Sequence, residues 1–453
     1  MGLVLRSHST AAAAPAGSPG PNSVSRNPWA WIPSLYYFQG LPNVLAVSVS
    51  VVLYKNLGLS NTAAAFYTSW LYLPWVVKPL WSPVVDLLRT RRWWIWWMQF
   101  FVAAGLACVA LTIPTAYFLQ LTLAGFWLVA FGSATHDIAA DGFYIIATNE
   151  REQAFFSGVR NTAFNLAKIT AQGLLVALAG KLKERTGSFA VAWSITFGAA
   201  AGICFCLAMY HRFVLPQPIA DRPRVRRESA ATVPGANRFF GEFLATFTSF
   251  FAKPGTVTTL CFLLLYRFGE AQLLKMVQPF LIGDRGEGGL GLTNAEFGFI
   301  YGTIGVIALV GGGLLGGFLI SRHGLKFWLW PMVLAMHLPD AVFVYLAHAR
   351  PESLGLIGAC VAVEQFGYGF GFAAYMLYMI YIARGEHATA HYAICTGFMA
   401  LGMMLPGMWS GWLQEHLGYR HFFVWVLLAT IPGFIVTALV PLEPEFGRKN
   451  SAA

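Results

Sequence analysis

From Trp29 to Pro441 the chain alternates long apolar runs with short polar ones. A helix crosses a bilayer with roughly 20 predominantly apolar residues, and the runs have that length. They predict twelve segments: 29–53, 62–82, 93–112, 117–147, 154–179, 189–209, 255–282, 296–320, 325–348, 354–383, 388–414 and 420–441. The fourth is longer than a membrane is thick. Residues 1–28 are small, polar and Pro-rich without an apolar core, so they are expected to be a disordered tail and not a signal peptide. A polar stretch, 211–254, divides six segments from six. Within it Phe239, Phe240, Phe243, Leu244, Phe247, Phe250 and Phe251 recur at helical spacing, as in a helix lying along the membrane surface or packed on the bundle.

The expected fold class is therefore an all-α membrane protein, twelve transmembrane helices in two six-helix halves. The tail is 1–28, the N-terminal half 29–210, the linker 211–254, the C-terminal half 255–441 and a second tail 442–453. Two halves about a long central loop are the layout of parallel-repeat secondary transporters.

Composition agrees. Apolar residues make up 57% and charged residues 11% of the 453, against about 25% charged in soluble domains. The formal charge of +10 does not indicate nucleic acid, because the basic residues sit in short runs between apolar segments. With the N-terminus inside, 18 of the 30 Lys and Arg fall in cytoplasmic segments and 7 in the opposite loops. That bias puts both termini in the cytoplasm; only Lys181, Lys183 and Arg185 argue against it. The six cysteines lie inside apolar segments without metal or disulfide spacing. No cofactor, metal or catalytic group is expected.

Between segments two and three the chain reads Ser82-x-x-x-Asp86-x-x-Arg89-x-Arg91-Arg92, and between eight and nine Gly317-x-x-x-Ser321-Arg322-x-Gly324-x-Lys326. The pair resembles the loop signature of the major facilitator superfamily, once per half. The resemblance implies that Asp86 with Arg89, and Arg322, help to hold the cytoplasmic side closed. Ordinary positive-inside anchoring is the plainer reading of Arg91 and Arg92.

A charge at membrane depth costs about 2.5–3.5 kcal/mol on the insertion scale, so the few that occur are functional candidates. Asp137 and Asp141 share one helix face near Arg160, with Lys78 at similar depth. They form either a salt-bridged inner gate or a site where one aspartate takes up a proton. Arg267 and Glu270 are three apart, an ion pair or a pair in which Glu270 exchanges the arginine for a proton. Glu364, beside Gln365, has no nearby cation in sequence and is a second candidate for protonation. Asp340, beside His337 and Pro339, reads as a gate or kink residue nearer the outer side. Lys168 with Asn165 and Gln172, and Lys275 with Gln278, form polar stripes that belong in a central cavity and favour an anionic substrate. Tyr36, Tyr37 and Gln39, between Pro33 and Pro42, suit a sugar or amide ligand on a broken helix, although aromatic packing also explains the tyrosines.

The segments YYFQGLP (Tyr36 to Pro42), KPLWSPVVD (Lys78 to Asp86), SATHDIAADGF (Ser133 to Phe143), LLYRFGEA (Leu264 to Ala271) and GWLQEHLGYRHFF (Gly411 to Phe423) resemble the AmpG-like muropeptide permeases, in the peptide and acetyl-coenzyme A transporter group of that superfamily. The likeness covers nearly the whole chain, with His136 where the family's run has Gln. It implies a proton-driven importer of anhydro-muropeptides in the bacterial inner membrane. The partners would be a glycan or glycopeptide, a proton and the bilayer, and a monomer is expected. Related branches imply alternatives: neutral oligosaccharides, siderophores or acyl-CoA. An acyltransferase using the His and Asp of HDIAAD, or a sensor that has lost turnover, are the readings from other classes.

Overall fold

The computed structural model describes residues 27–148, 150–219, 221, 247–384, 388–443 and 446. Most of the predicted surface helix of the linker and both tails lie outside them, as do the side chains of Asp86 and its neighbours. The described residues are helical throughout, with no strand among them.

Ten helices are long and apolar enough to cross a membrane. They are α1 (Pro28–Asn56), α3 (Arg91–Thr112), α4 (Phe118–Ala147), α5 (Val159–Thr186), α6 (Phe189–Val214), α7 (Thr256–Ile282), α8 (Asn294–His323), α9 (Leu325–Ala349), α10 (Leu354–Ala383) and a final stretch, His391–Leu439. That last stretch is two helices, α11 (388–417) and α12 (419–439), joined where Gly418 takes a left-handed φ of 69° that a helix cannot continue. The remaining helix, α2 (61–88), is interrupted at Leu71 and Tyr72. Twelve crossings result, six in each half. Hydroxyl caps start many of them at the polar edge: Ser60, Thr90, Ser188, Thr293 and Ser353 each accept from a first-turn N–H. Large apolar side chains such as Leu111, Val257, Phe327 and Leu428 are more than half exposed on the outside of the bundle. Such a surface matches hydrocarbon, not water.

Because the number of crossings is even, α1 begins and α12 ends on one side, called here the terminal side. On the opposite, far side the two halves meet along two seams made of glycine. In the first, Gly173 of α5 faces Gly302 and Gly298 of α8, and a Cβ on Gly302 would run into the backbone of Gln172 and Gly173. In the second, Gly411 of α11 lies against the backbone of Asn61 in α2. Both helices of the first seam widen where they touch, with π turns at Ile169–Leu175 and Ile300–Gly305, and α1 has a third at Leu45–Val49. Such turns displace side chains from regular register and occur often at functional sites.

Polar bonds fasten the seams. Asn61 Nδ2 donates to Gln414 Oε1 at 2.6 Å and to Tyr419 Oη at 2.9 Å. Thr62 donates to Glu415 through both its backbone and its hydroxyl. The Asn56 side-chain carbonyl accepts from Trp193 Nε1 at 3.0 Å in its own half and from Asn294 Nδ2 at 2.5 Å across the interface. Lys55 and Glu287 approach to 3.9 Å.

A branched side chain at Gly302 must separate α5 from α8. Gly302→Val is expected to cost the far-side-closed state about 1–3 kcal/mol through overpacking. It should raise far-side labelling of a Thr68→Cys reporter in membrane vesicles, while the purified variant stays folded by size-exclusion chromatography.

Candidate functional site

Below the closed seams, between the halves, lies a cavity of about 410 Å³. The helices that wall it bring their polar groups from segments that read as apolar in sequence. Lys168 and Gln172 come from α5 at its π turn, Lys275 and Gln278 from α7, Lys78 from α2, Asp137 from α4 and Arg267 from α7. Four of the predicted substrate residues, Lys168, Gln172, Lys275 and Gln278, thus line it. Tyr72, Trp75, Tyr301 and Tyr368 add aromatic surface, and Asn43 and Gln365 add amides. None of these six stood out in sequence, where a Tyr or Trp in an apolar run signals packing; the i, i+3 or i+4 spacing of Tyr72 and Trp75 from Ser69 and Lys78 was the available hint.

Lys275 reaches from the second half to the first. Its Nζ donates to Thr68 Oγ1 at 2.9 Å and Val47 O at 3.5 Å and sits 5.4 Å from the Tyr72 ring. All three partners are neutral. Lys168 likewise has no ion-pair partner among the described residues. Arg267 is buried; its Nη2 donates to Tyr368 Oη at 2.5 Å, and its guanidinium lies over the rings of Tyr368 and Phe372 at 5.1 and 4.9 Å. It does not reach Glu270, three residues on, at ion-pair distance; the two interact only through space. The cavity therefore presents four cationic side chains, counting Lys78, and one carboxylate.

That carboxylate, Asp137, is 7% exposed. Its Oδ2 accepts from Trp75 Nε1 at 2.8 Å, its Oδ1 has no partner, and Lys78 acts on it through space. Asp141, one turn along α4, is in different company. It pairs with Arg160 Nη2 at 2.7 Å and accepts from Tyr36 Oη at 3.1 Å. The guanidinium is held between Tyr36 and Tyr144, 4.1 and 4.4 Å from the ring centroids. The two aspartates that share a helix face in sequence thus divide, one into the cavity and one into a cation–π cage towards the terminal side.

Several other predicted residues lie off the cavity. Tyr36 serves the Arg160 cage, and Tyr37 donates to Thr170 Oγ1 at 3.0 Å. Gln39 neighbours Asp137 but is not part of the cavity lining. Asn165 is tied to the Asn161 carbonyl of its own helix at 2.9 Å. Glu270 and Glu364 lie behind the wall formed by Arg267 and Gln365. Arg89 rests on Trp93 and Arg322 on Phe318, both at the terminal side.

Residues 36–405 match the family described as Major Facilitator Superfamily. The chain belongs to that superfamily. Within it the chain is similar to the anhydromuropeptide permease of Escherichia coli (strain K12), 24% identical over 381 residues that cover 83% of this chain and 72% of the relative. It is similar to the putative transporter AmpG 4 of Rickettsia conorii at 24% identity, over 88% and 92% of the two chains. It is thus an AmpG-like superfamily member. Among solved structures, the nucleoside transporter NupG superposes with a TM-score of 0.65 at 14% identity, covering 91% of this chain and 98% of that one. An inward-facing bacterial homologue of the human lysosomal transporter Spinster superposes at 0.65 and 16%, covering 90% and 94%. These two likenesses establish the fold, which is that of transporters.

The side chains of Arg160 and Asp141 are 29% and 45% exposed, so solvent screens their attraction. Asp141→Asn is expected to lower stability by no more than about 1 kcal/mol, a small shift in thermal unfolding in detergent. The cation–π contacts with Tyr36 and Tyr144 survive that substitution.

Proposed function

We propose that this protein imports anhydro-muropeptides across the bacterial inner membrane by proton-coupled alternating access. The observation that carries the reading is the cavity's charge: Lys168 and Lys275 face one space with no ion-pair partner among the described residues, and with Lys78 and Arg267 the cations of the lining outnumber its one carboxylate, Asp137. A buried cation without a counter-charge is costly, and a substrate carboxylate entering this space offsets that cost. The peptide arm of a muropeptide supplies such carboxylates. Its sugars would meet Tyr72, Trp75, Tyr301 and Tyr368, with Gln172, Gln278 and Gln365 for the hydroxyl and acetamido groups.

The excess of Lys and Arg on the terminal side supports a cytoplasmic location for it, with the linker 211–254 and both tails. The seams then close the cavity towards the periplasm, the arrangement from which substrate leaves inward. Asp137 in the cavity, with Glu270 and Glu364 behind its wall, are the proton carriers in this scheme. Asp141, with Arg160, acts as a terminal-side latch, together with Asp86, Arg89 and Arg322. Lys275, bonded to Thr68 and Val47 of the other half, is the group whose release by a substrate anion lets the halves rock. A neutral oligosaccharide is the second reading, favoured by the aromatic and amide lining.

Uptake into proteoliposomes separates the two. An anhydro-muropeptide should accumulate when the outside is acidic, and the same disaccharide without its peptide should not. Lys275→Gln and Lys168→Gln should each lose roughly tenfold or more in uptake, as expected when a charge-assisted hydrogen bond of about 1.5–3 kcal/mol is removed. Accumulation of the disaccharide alone, with both variants active, would move the assignment to sugar import.

A further inference from the structure

Behind the cavity wall, three carboxyl groups from three helices converge. Glu270 of α7, Asp340 of α9 and Glu364 of α10 are at most 1% exposed, and each offers an oxygen within 4.8 Å of the others. Backbone geometry brings them there. Pro339 turns α9 into a short 3₁₀ segment, Leu338–Asp340, and swings Asp340 inward. Gly367 and Gly371 of α10 let that segment approach so closely that a Cβ on Gly367 would collide with the Ala335 carbonyl.

The groups around the cluster supply few donors. Gln365 Nε2 donates to both oxygens of Glu364, at 3.0 and 3.3 Å. The four oxygens of Glu270 and Asp340 have no donor among the described residues. Arg267 is the cation that acts on Glu270, and its hydrogen bond goes to Tyr368. Tyr301 of α8 lies near Glu364 and Glu270, with its hydroxyl 3.5 Å from Gln365 Nε2. Among the described residues no Lys or Arg offsets Asp340, which feels Glu270 and Glu364. Three ionised carboxylates facing one guanidinium would leave two net negative charges sealed from water, which is prohibitive.

An independent group points the same way. His337, 1% exposed, bonds the Tyr266 carbonyl through Nε2 at 3.0 Å. A carbonyl only accepts, so Nε2 carries a proton. Its Nδ1 has no hydrogen-bond partner and lies 4.0 Å from Asp340 Oδ2. In neutral His337 that nitrogen is an acceptor facing an acceptor. Either a proton on Asp340 or one on Nδ1 resolves the conflict, and both place a proton between the two residues.

We propose that Glu270, Asp340 and Glu364, with His337, form one proton store holding two protons, one in the His337–Asp340 pair and one shared by Glu270 and Glu364. Two protons bring the site with Arg267 to neutrality. Gln365 lines the cavity and bonds Glu364, so a substrate that draws Gln365 away from Glu364 alters how tightly the second proton is held. Its use in transport, two protons per substrate, rests on the proton-coupled reading above; its occupancy does not.

Infrared difference spectra of the full chain in lipid nanodiscs at neutral pH test the occupancy without a substrate. A protonated acid carbonyl band should be present in the wild type. It should be diminished in Glu364→Gln and altered in both Asp340→Asn and His337→Asn, the last of which deletes no acid and serves if a carboxyl variant fails to fold. Absence of acid carbonyl signal from the cluster overturns the proposal, and so does its replacement by carboxylate bands on adding Na⁺ or Ca²⁺, which makes this a cation site. In proteoliposomes, balancing a pH gradient against an anhydro-muropeptide gradient should give zero flux at a ratio of two protons per substrate, falling to one in Asp340→Asn. A wild-type ratio of one overturns the stoichiometry. Acid carbonyl bands together with flux that ignores the pH gradient would leave the store standing and remove proton-coupled transport.

Discussion

Ionised groups cannot face hydrocarbon, and the architecture follows from where this chain puts the few it carries inside the membrane. The outer face of the bundle is Leu, Val, Phe and Trp. Every described charge at depth turns inward and is arranged in one of three ways. Arg160 and Asp141 neutralise each other inside an aromatic cage. Lys78, Lys168, Arg267 and Lys275 share a cavity with one carboxylate, Asp137, which leaves room for a ligand's negative charge. Glu270, Asp340 and Glu364 are crowded together out of reach of solvent, with Arg267 acting on one of them. The same electrostatic constraint thus yields a caged ion pair, a cationic cavity and a carboxyl cluster, according to which partner completes each group.

These three environments are close in space and joined by short links. Asp137 and Asp141 are one helical turn apart yet belong to the cavity and the caged ion pair. Arg267 lines the cavity and acts on Glu270. Gln365 faces the cavity with one side and donates to Glu364 with the other. A ligand that changes the surroundings of any one group must alter the others through these links, and the proposed coupling of substrate to protons would run along them.

The fold was legible in the chain because its signal is long and one-dimensional: apolar length, polar interruptions and the distribution of Lys and Arg suffice to count crossings. The break at Gly418 falls between two predicted segments, whereas the interruption at Leu71 and Tyr72 lies inside an unbroken apolar run and was not legible. The site was legible only in part. Lys168 and Lys275 stand out because a lysine in an apolar run is conspicuous, and both line the cavity. Tyr36 and Asn165 were placed in the substrate site by adjacency, and the structure gives them to Arg160 and to Asn161 because a helix presents neighbours to different faces. Asp340 read as a kink residue since its partners lie 70 residues earlier and 24 later; the kink is real, and it delivers the carboxyl to Glu270 and Glu364. Distances between helices are not written in the local pattern, and the far-side seams, made of glycines that look alike in sequence, are invisible for the same reason.

Those seams carry one more consequence. At Gly173 with Gly302 and at Gly411 with Asn61 the halves touch backbone to backbone, and the side-chain bonds that fasten these contacts, from Asn56, Asn61 and Thr62, come from residues outside the cavity lining or at its far edge. The cavity walls, by contrast, are all side chain. Lys275 apart, substitutions that re-dress the cavity leave these far-side contacts intact, so the lining and the closure of the far side can change separately.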